Sequence, residues 1–562
     1  MLIRKNMEPD SLFWADQFAR EVKDRVANDK TLQKVVNEKG YICYDEKTPS
    51  GRIHIGSGRG WVIHDTVTKA MRDIGLNAKF ILSADDMDPL DAIPTGLDKK
   101  KYEPLMGVPM CKVPSPVEGY KSFADYYFRD STDKFPDFGI EATLERTSQH
   151  YENGDFNPCI KLALDNFGKI QKIYADLYGE KNKASEKLPF NPICEKCGKI
   201  GTTVAYAWDK EREMLKYRCS KDLVEWASGC GYEGEISPYN GNGKFPWKIE
   251  WAAKWPTVGV LFETAGKDHF TKGGSRDVAV RVCTQVFNYP PPYPSSPNDF
   301  GKGYEFFTVG GKKMSTSKGL GASFREISEK LSPQILRYLL VRTRPHATID
   351  FDPFGTNKLL LLYDNFDRCE RIYFDAEVSE NEKEIAQEKR IYVLSAVGKL
   401  PEKMPAKISL SLASLVVQSV NFNMEKSIEI LQGMKKLPAK LSNQDKKYAL
   451  ARLGDAASFV KEFAPEEYKF VVLEKPDKQA ISQLNDIQKG ALKKLAAVMK
   501  KDLSVEDLEQ QIYDLARDNK LESKDFFRAA YLALIGKEKG PRLAQFLLSL
   551  DKEFVIERFN SI

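Results

Sequence analysis

Histidine is scarce in this chain, with five residues in 562, and cysteine is sparse, with nine. No apolar run approaches the ~18 residues of a membrane-spanning helix, so no membrane partner is expected. The opening residues, Met1-Leu2-Ile3-Arg4-Lys5-Asn6, carry charge without the apolar core of a secretory signal, which points to a cytoplasmic protein. Internal repeats and low-complexity tracts are absent, which excludes solenoids and disordered linkers. An excess of one charge is also missing. Lys and Arg number 85 against 80 Asp and Glu, a net charge of +5. From Arg371 to the end the count is 32 against 29. A polybasic arm is excluded, although a local basic face suitable for RNA is not. What is present is length and an ordinary hydrophobic fraction of 42%. One core cannot serve such a chain, and roughly three to four domains are expected.

The cysteines fall into two groups. Cys43, Cys111, Cys159, Cys283 and Cys369 are scattered in apolar or mixed surroundings and read as small buried hydrophobes. Cys194, Cys197, Cys219 and Cys230 lie close together. Cys194-Glu195-Lys196-Cys197-Gly198 has the C-x2-C-G form of a metal knuckle, whereas ten residues separate Cys219 from Cys230. Four thiolates suit a closed structural Zn²⁺ site.

The hydrophobic pattern orders the rest. An amphipathic helix is expected from Phe13 to Asn37. A strand at Tyr41-Ile42-Cys43-Tyr44 precedes the turn Lys47-Thr48-Pro49-Ser50-Gly51, a helix from Gly56 to Ile74, and a strand at Lys79–Ser83. Strand, turn, helix and strand make a βαβ unit and hence a parallel sheet. Residues 89–246 break this pattern and read as an insertion. Trp247–Trp255 predicts a helix returning to the sheet, followed by strands at Val258–Glu263 and Glu305–Val309. Ser332-Pro333 opens a further helix. Beyond Phe354 nearly everything has helical period, as in Leu410–Val420, Ile487–Met499 and Phe526–Ile535. The fold class is therefore α/β. A split Rossmann-type parallel-sheet catalytic domain carries a zinc-bearing insertion and an all-α C-terminal domain. The expected boundaries are 1–130 for the first half of the catalytic domain and 131–246 for the insertion, with its knuckle at 190–236. The second half is 247–325, a helical connector 326–372, and the C-terminal domain 373–562.

Three motifs carry chemistry. Pro49-Ser50-Gly51-Arg52-Ile53-His54-Ile55-Gly56-Ser57 follows the first strand, at the sheet edge where ligands bind. There His54 can donate to phosphate charge. Gly56 lets ATP approach a helix N-terminus that favours anions. Lys313-Met314-Ser315-Thr316-Ser317-Lys318, after Gly310-Gly311, is a basic loop able to close over the triphosphate. Gly266-Lys267-Asp268-His269 follows the returning strand, so that Asp268 can accept from a ribose and His269 can face the substrate. Together these motifs predict adenylate formation, in which a carboxylate displaces pyrophosphate from ATP. Catalysis of that step is mainly positioning and electrostatics. Trp247, Trp251 and Trp255 fall on one helical stripe, normally a core feature. Trp247, nearest the insertion, is the one expected to line a pocket. His64, His150 and His346 are expected to be structural.

The first two motifs resemble the HIGH and KMSKS elements of class I aminoacyl-tRNA synthetases. Phe13-Trp14-Ala15-Asp16, Thr48-Pro49-Ser50-Gly51, Ser83-Ala84-Asp85-Asp86-Met87-Asp88 and Trp247-Lys248-Ile249-Glu250-Trp251 extend the likeness. So do Gly266-Lys267-Asp268-His269, Tyr304-Glu305-Phe306, Ser332-Pro333 and Ile349-Asp350-Phe351-Asp352. The chain resembles the archaeal-type class I lysyl-tRNA synthetases over most of its length. That resemblance implies ATP-dependent attachment of L-lysine to tRNA(Lys), a structural Zn²⁺ held by the four clustered cysteines, ATP with Mg²⁺, and a C-terminal anticodon reader. It implies His54, Lys313 and Lys318 as catalytic groups. ATP would be held by Pro49, Ser50, Gly51, His54, Gly56, Ser57, Gly266, Asp268, Lys313, Met314 and Ser315. Thr48, Trp247, His269 and Tyr304 would form the lysine pocket, with Asp85 and Asp86 supplying negative charge. A monomer is expected. Ser57 stands in place of the second HIGH histidine, Thr316 in place of the second KMSKS lysine, and Glu46 in place of a pocket glycine. The alternatives are a glutamyl- or glutaminyl-type synthetase, which Arg52 keeps open, and a non-catalytic tRNA-binding paralogue.

Overall fold

A computed structural model describes residues 13–179, 187–295, 303–313 and 323–562. They form two compact units. One comprises Met1–Glu329, Leu336–Phe351 and Glu380–Leu400; the other comprises Lys330–Ile335, Asp352–Ser379 and Pro401–Ile562.

In the first unit, helix α1 (Trp14–Ala27) precedes strand β1 (Tyr41–Lys47), helix α2 (Ile55–Asp73) and strand β2 (Ala78–Ala84). The expected N-terminal helix is two helices. Asp29 interrupts it, its carboxylate accepting from the Thr31 and Leu32 amides and capping a second helix, Lys30–Lys39. Strand β3 (Ala142–Arg146) lies beyond β2. Helix α3 (Trp247–Lys254) leads through a wide turn at Trp255–Gly259 into strand β4 (Val260–Phe262). That turn shortens the expected strand, because Gly259 needs φ +89° to redirect the chain.

The sheet order is β3-β2-β1-β4, and every pairing is parallel. In β2 only Lys79 is exposed, the pattern of a strand covered on both faces. The chain moves outward from β1 to β3 and then returns to the other side of β1. The order therefore reverses beside β1, and the crevice there is the usual ligand position of such sheets. The cysteine region forms its own antiparallel sheet from Thr203–Asp209, Met214–Cys219 and Glu233–Ile236.

The second unit is helical around a dry core that includes Leu492, Leu495, Phe526, Ala530, Leu534, Phe546 and Phe559. Its helices Leu410–Ser419, Asp486–Val498 and Ser523–Ile535 lie where the periodicity places them. Residues 380–400 belong to the sheet-bearing unit: Arg390 pairs with Asp16 at 2.7 Å and Asp73 at 2.6 Å. Arg337 donates to the Leu394 carbonyl. Among the described residues, no helix is long and apolar enough to cross a membrane.

Candidate active site

The turn after β1 is built against a segment far away in sequence. The Phe324 amide donates to the Ile53 carbonyl at 2.8 Å, and His54 bridges Ser323. Gly58 lets α2 press on Phe324, since a Cβ there would lie 2.6 Å from the ring. Arg52 pairs with Glu326 at 2.9 Å on an exposed surface. Residues 323–326 follow the Lys313 motif, so its C-terminal flank is held at the His54 turn. Lys313 itself pairs through its backbone with Thr308. Met314, Ser315, Thr316, Ser317 and Lys318 lie outside the described residues. His54 is the N-cap residue of α2, and a Cβ on Gly56 would meet its ring at 2.7 Å. Glycine is thus required there by the histidine as well as by any ligand.

Arg59 lies outside the three sequence motifs. It is 1% exposed, and its guanidinium donates to the carbonyls of Glu305, Phe306, Arg344, Pro345 and Ala347. Helix α2 thereby fixes the backbone entering the Lys313 hairpin. An arginine beside the apolar stretch Gly60–Ile63 was the available signal.

A cavity of about 780 Å³ opens at the switch point. Thr48, Trp247, His269, Tyr304 and Asp85 line it, as do Ser50, Ser57 and Gly266 from the nucleotide motifs. Asp86, Pro49, Gly51, His54, Gly56 and Asp268 are not among its lining residues. Trp247 is 41% exposed, whereas Trp251 and Trp255 are buried; Trp247 and Trp251 both line the cavity, and Trp255 does not. Trp247 stacks on Trp251 with centroids 5.5 Å apart, and the His269 ring stands edge-on to both. Tyr304 is zipped to the strand edge through Lys267 N–H to its carbonyl and its own N–H to Ala265. The hairpin between Cys219 and Cys230 adds Leu223, Val224 and Trp226 to the wall.

The floor is ionic. Buried Lys254 bonds the carboxylates of Glu46 and Asp85 and lies 3.2 Å from Glu250. Buried Lys244 bonds Asp88 and lies 3.2 Å from Glu250. Burial alone would lower the Lys254 pKa, but Asp85, Glu46 and Glu250 outweigh it and hold the ammonium well above its ordinary value. Burial would raise Asp85, yet Lys254 and Lys244 hold it below the usual carboxylate range. Glu46 is pushed well up, first by burial and then by Asp85, because the two acids share one ammonium. Asp86 is spent elsewhere: its oxygens accept from the Ser148 amide at 2.8 Å and hydroxyl at 2.6 Å. Thr48 donates to Asp88 at 3.2 Å. Glu263 accepts from the indoles of Trp251 at 2.9 Å and Trp255 at 2.5 Å, with Arg276 at 3.6 Å.

The four clustered thiols converge, with all sulfurs within 4.8 Å of one another. The Cys194–Cys230 and Cys197–Cys219 separations are 3.6 and 3.7 Å. A tetrahedron with Zn–S bonds of about 2.3 Å has edges of roughly 3.8 Å, so the set is compatible with zinc. The ten-residue gap does not disturb it. Gly229 N–H bonds back to Ser220 and Gly231 N–H to Cys219, which returns Cys230 to its partner.

The family described as "tRNA synthetases class I (K)" matches residues 12–398, and that described as "Anticodon binding domain" matches residues 422–562. The chain belongs to the class I tRNA synthetases (K). The Lysine--tRNA ligase of Methanosphaera stadtmanae is 33% identical over 547 residues, covering 95% of this chain and 98% of that protein. The Lysine--tRNA ligase of Methanocaldococcus jannaschii is 32% identical, covering 98% and 99%. That of Pyrococcus horikoshii is 30% identical, covering 97% and 98%. This synthetase therefore has the parallel-sheet catalytic unit and the helical C-terminal anticodon domain of its family.

Proposed function

We propose that this synthetase activates L-lysine with ATP, carried as its Mg²⁺ complex, and transfers it from lysyl-adenylate to tRNA(Lys). The observation that carries the reading is the acidic, aromatic-walled cavity beside the His54 turn. Its size suits an amino acid next to a nucleotide. Its aromatics suit the alkyl chain and ammonium of lysine. Six carboxylates line it against three lysines, Lys47, Lys187 and Lys244, so the site favours a cationic guest.

In this reading the α-carboxylate of lysine, oriented on the pocket wall, attacks the α-phosphorus of ATP and pyrophosphate leaves. His54 donates to the phosphate as negative charge builds. Lys313 and Lys318 engage the triphosphate. Pro49, Ser50, Gly51, Gly56 and Ser57 shape the phosphate turn, Met314 and Ser315 follow the nucleotide, and Gly266 and Asp268 take the ribose. Thr48, Trp247, His269 and Tyr304 hold lysine. Arg52 is engaged by Glu326, so it is not poised for a side-chain carboxylate, and the glutamate-type reading loses its support.

Four thiolates at these separations would hold one structural Zn²⁺ and fix the hairpin that walls the cavity. Metal analysis should find one zinc per chain, and its absence from freshly prepared protein would remove that assignment. In the helical unit a cavity of about 840 Å³ is lined by Lys436, Lys539, Arg542 and Tyr468. These three cations form no ion pair among the described residues, which suits a single-stranded anticodon. Amino-acid-dependent pyrophosphate exchange, run over all twenty amino acids with and without tRNA, tests the whole reading. Exchange with lysine alone is expected, and exchange with glutamate instead would overturn it.

A further inference from the structure

Two carboxylates in the cavity have no cationic partner among the described residues, Asp91, which is exposed, and Asp45. Asp45 lies on β1, one residue before Glu46, so the alternation of the strand turns it to the opposite face. Glu46 meets Lys254 there, Asp85 meets Lys254 and Thr147, Asp88 meets Lys244 and Thr48, and Glu263 meets two indoles and Arg276. Asp45 lines the same cavity, and among the described residues it has no cationic partner. Its Oδ1 accepts from the Glu46 amide at 2.9 Å. Its Oδ2 lies 3.5 Å from His64 Nδ1, but that contact is not ionic. His64 Nε2 accepts from the Thr264 amide at 3.1 Å, so its proton sits on Nδ1, which donates to the Gly60 carbonyl at 2.8 Å. Burial holds this imidazole neutral, its pKa lowered to about 4. Lys47, two residues further along the strand, lowers the Asp45 pKa through its charge, but among the described residues the two form no ion pair.

Tyr304 brings a second polar atom to the same place. A Cβ on Gly60 would lie 2.7 Å from Tyr304 Oη and 3.0 Å from Asp45 Oδ2. The hydroxyl and the carboxylate thus converge over a glycine that leaves them room. Asp45 also lies back from the Thr48–Ser57 turn, toward the interior of the sheet. An amino acid whose α-carboxylate faces ATP at that turn would send its far end toward Asp45.

We infer that Asp45 is the carboxylate that receives the side-chain ammonium of the amino-acid substrate, with Tyr304 beside it. The inference rests on the lysine reading above and replaces Asp85 and Asp86 as the source of negative charge. Those two are committed to Lys254 and to Ser148. Burial and the neighbouring Glu263 hold the Asp45 pKa well above the usual carboxylate range when the pocket has no cation. An arriving ammonium supplies the missing counter-charge.

The test is equilibrium binding of L-lysine to the full-length wild type and to Asp45→Asn, with ATP affinity and the inhibition constant of L-norleucine measured alongside. Norleucine keeps the α-groups and the chain but lacks the distal ammonium. Lysine affinity should fall at least about 30-fold in the variant, because a close desolvated charge pair is lost. ATP affinity and the norleucine constant should stay as in the wild type. Lysine binding unchanged within a few-fold would overturn the inference, and so would an equal loss for lysine and norleucine. If norleucine binds too weakly to measure, the lysine result decides alone. A wild type that binds no lysine would overturn the functional reading and this inference together. A wild type that binds lysine normally while the variant does so equally well removes Asp45 only.

Discussion

The two units both bury carboxylates, and they treat them in opposite ways. In the helical unit Asp367 is clasped by Arg452 through both oxygens, at 2.9 and 2.7 Å, and Lys407 lies 2.6 Å from Glu370. In the catalytic unit Lys244 and Lys254 are shared among Glu46, Asp85, Asp88 and Glu250, and Asp45 is left with no cation among the described residues. A paired buried carboxylate holds helices together. An acid-rich cavity floor is poor for stability and useful only if a cation arrives. The contrast separates a structural ion cluster from a binding one before any ligand is considered.

The largest expected effect concerns where the units divide. A chain ending after Leu400 keeps Arg390 with its Asp16 and Asp73 partners and the Leu394 carbonyl used by Arg337. It should retain lysine-dependent pyrophosphate exchange and lose tRNA charging. A chain ending at Tyr373 lacks those contacts and should not give an active catalytic unit. Equal exchange by both would show that residues 380–400 contribute nothing to the sheet-bearing unit.

Next comes the paired cluster. Arg452→Ala strands Asp367 and should cost about 3–5 kcal/mol of stability, read by denaturant unfolding. Asp45→Asn should cost none, because no counter-charge is stranded and the amide oxygen can still accept from the Glu46 amide. A comparable loss in both would mean that Asp45 is as structural as the Asp367–Arg452 pair. In the nucleotide turn, His54→Ala should slow lysine activation by about 10²-fold or more, near 3 kcal/mol of transition-state stabilisation. Its unfolding midpoint should not move. Activation within a few-fold of wild type removes His54 from the chemistry.

The smallest effect is one of pH. Asp455, nine-tenths buried, has its pKa raised to about 6 by burial, against opposing contributions from the Tyr363 hydroxyl and Arg452. The folded state therefore holds this proton more tightly than the unfolded chain does. The stability it contributes is fully present below about pH 4 and is lost as pH rises through about 6. Asp455→Asn should thus be more stable than the wild type at pH 7, by about 1–3 kcal/mol. The two should converge as pH falls toward 4. A variant less stable at pH 7 would mean that the Asp455 charge is needed by Arg452.

Legibility differed by the range of the interaction. The strand before Thr48, the helix after His54, the Cys194–Cys197 knuckle and the long C-terminal helices are local patterns, and they stand where the sequence puts them. The boundary near Tyr373 was not local, because what recruits residues 380–400 is a pair of aspartates more than three hundred residues earlier. Asp29 broke the first helix through a cap that periodicity alone does not weigh. Asp85 and Asp86 carried the expected charge in sequence, but Lys254 and Ser148, both distant, had already claimed it.

By itself the sequence determined the chemistry class. His54 caps α2, Asp268 follows β4 and Lys313 lies in the hairpin after Phe307, and these local motifs are what the sequence shows of the proposed adenylate chemistry. Only the tertiary structure decided which acids are available to a substrate. A carboxylate is committed or open according to the cation that folding brings within about 4 Å of it, and no spacing along the chain records that distance. Asp45 and Glu46 are neighbours in sequence. Both line the cavity, yet only Glu46 meets Lys254, because successive side chains on a strand point to opposite faces.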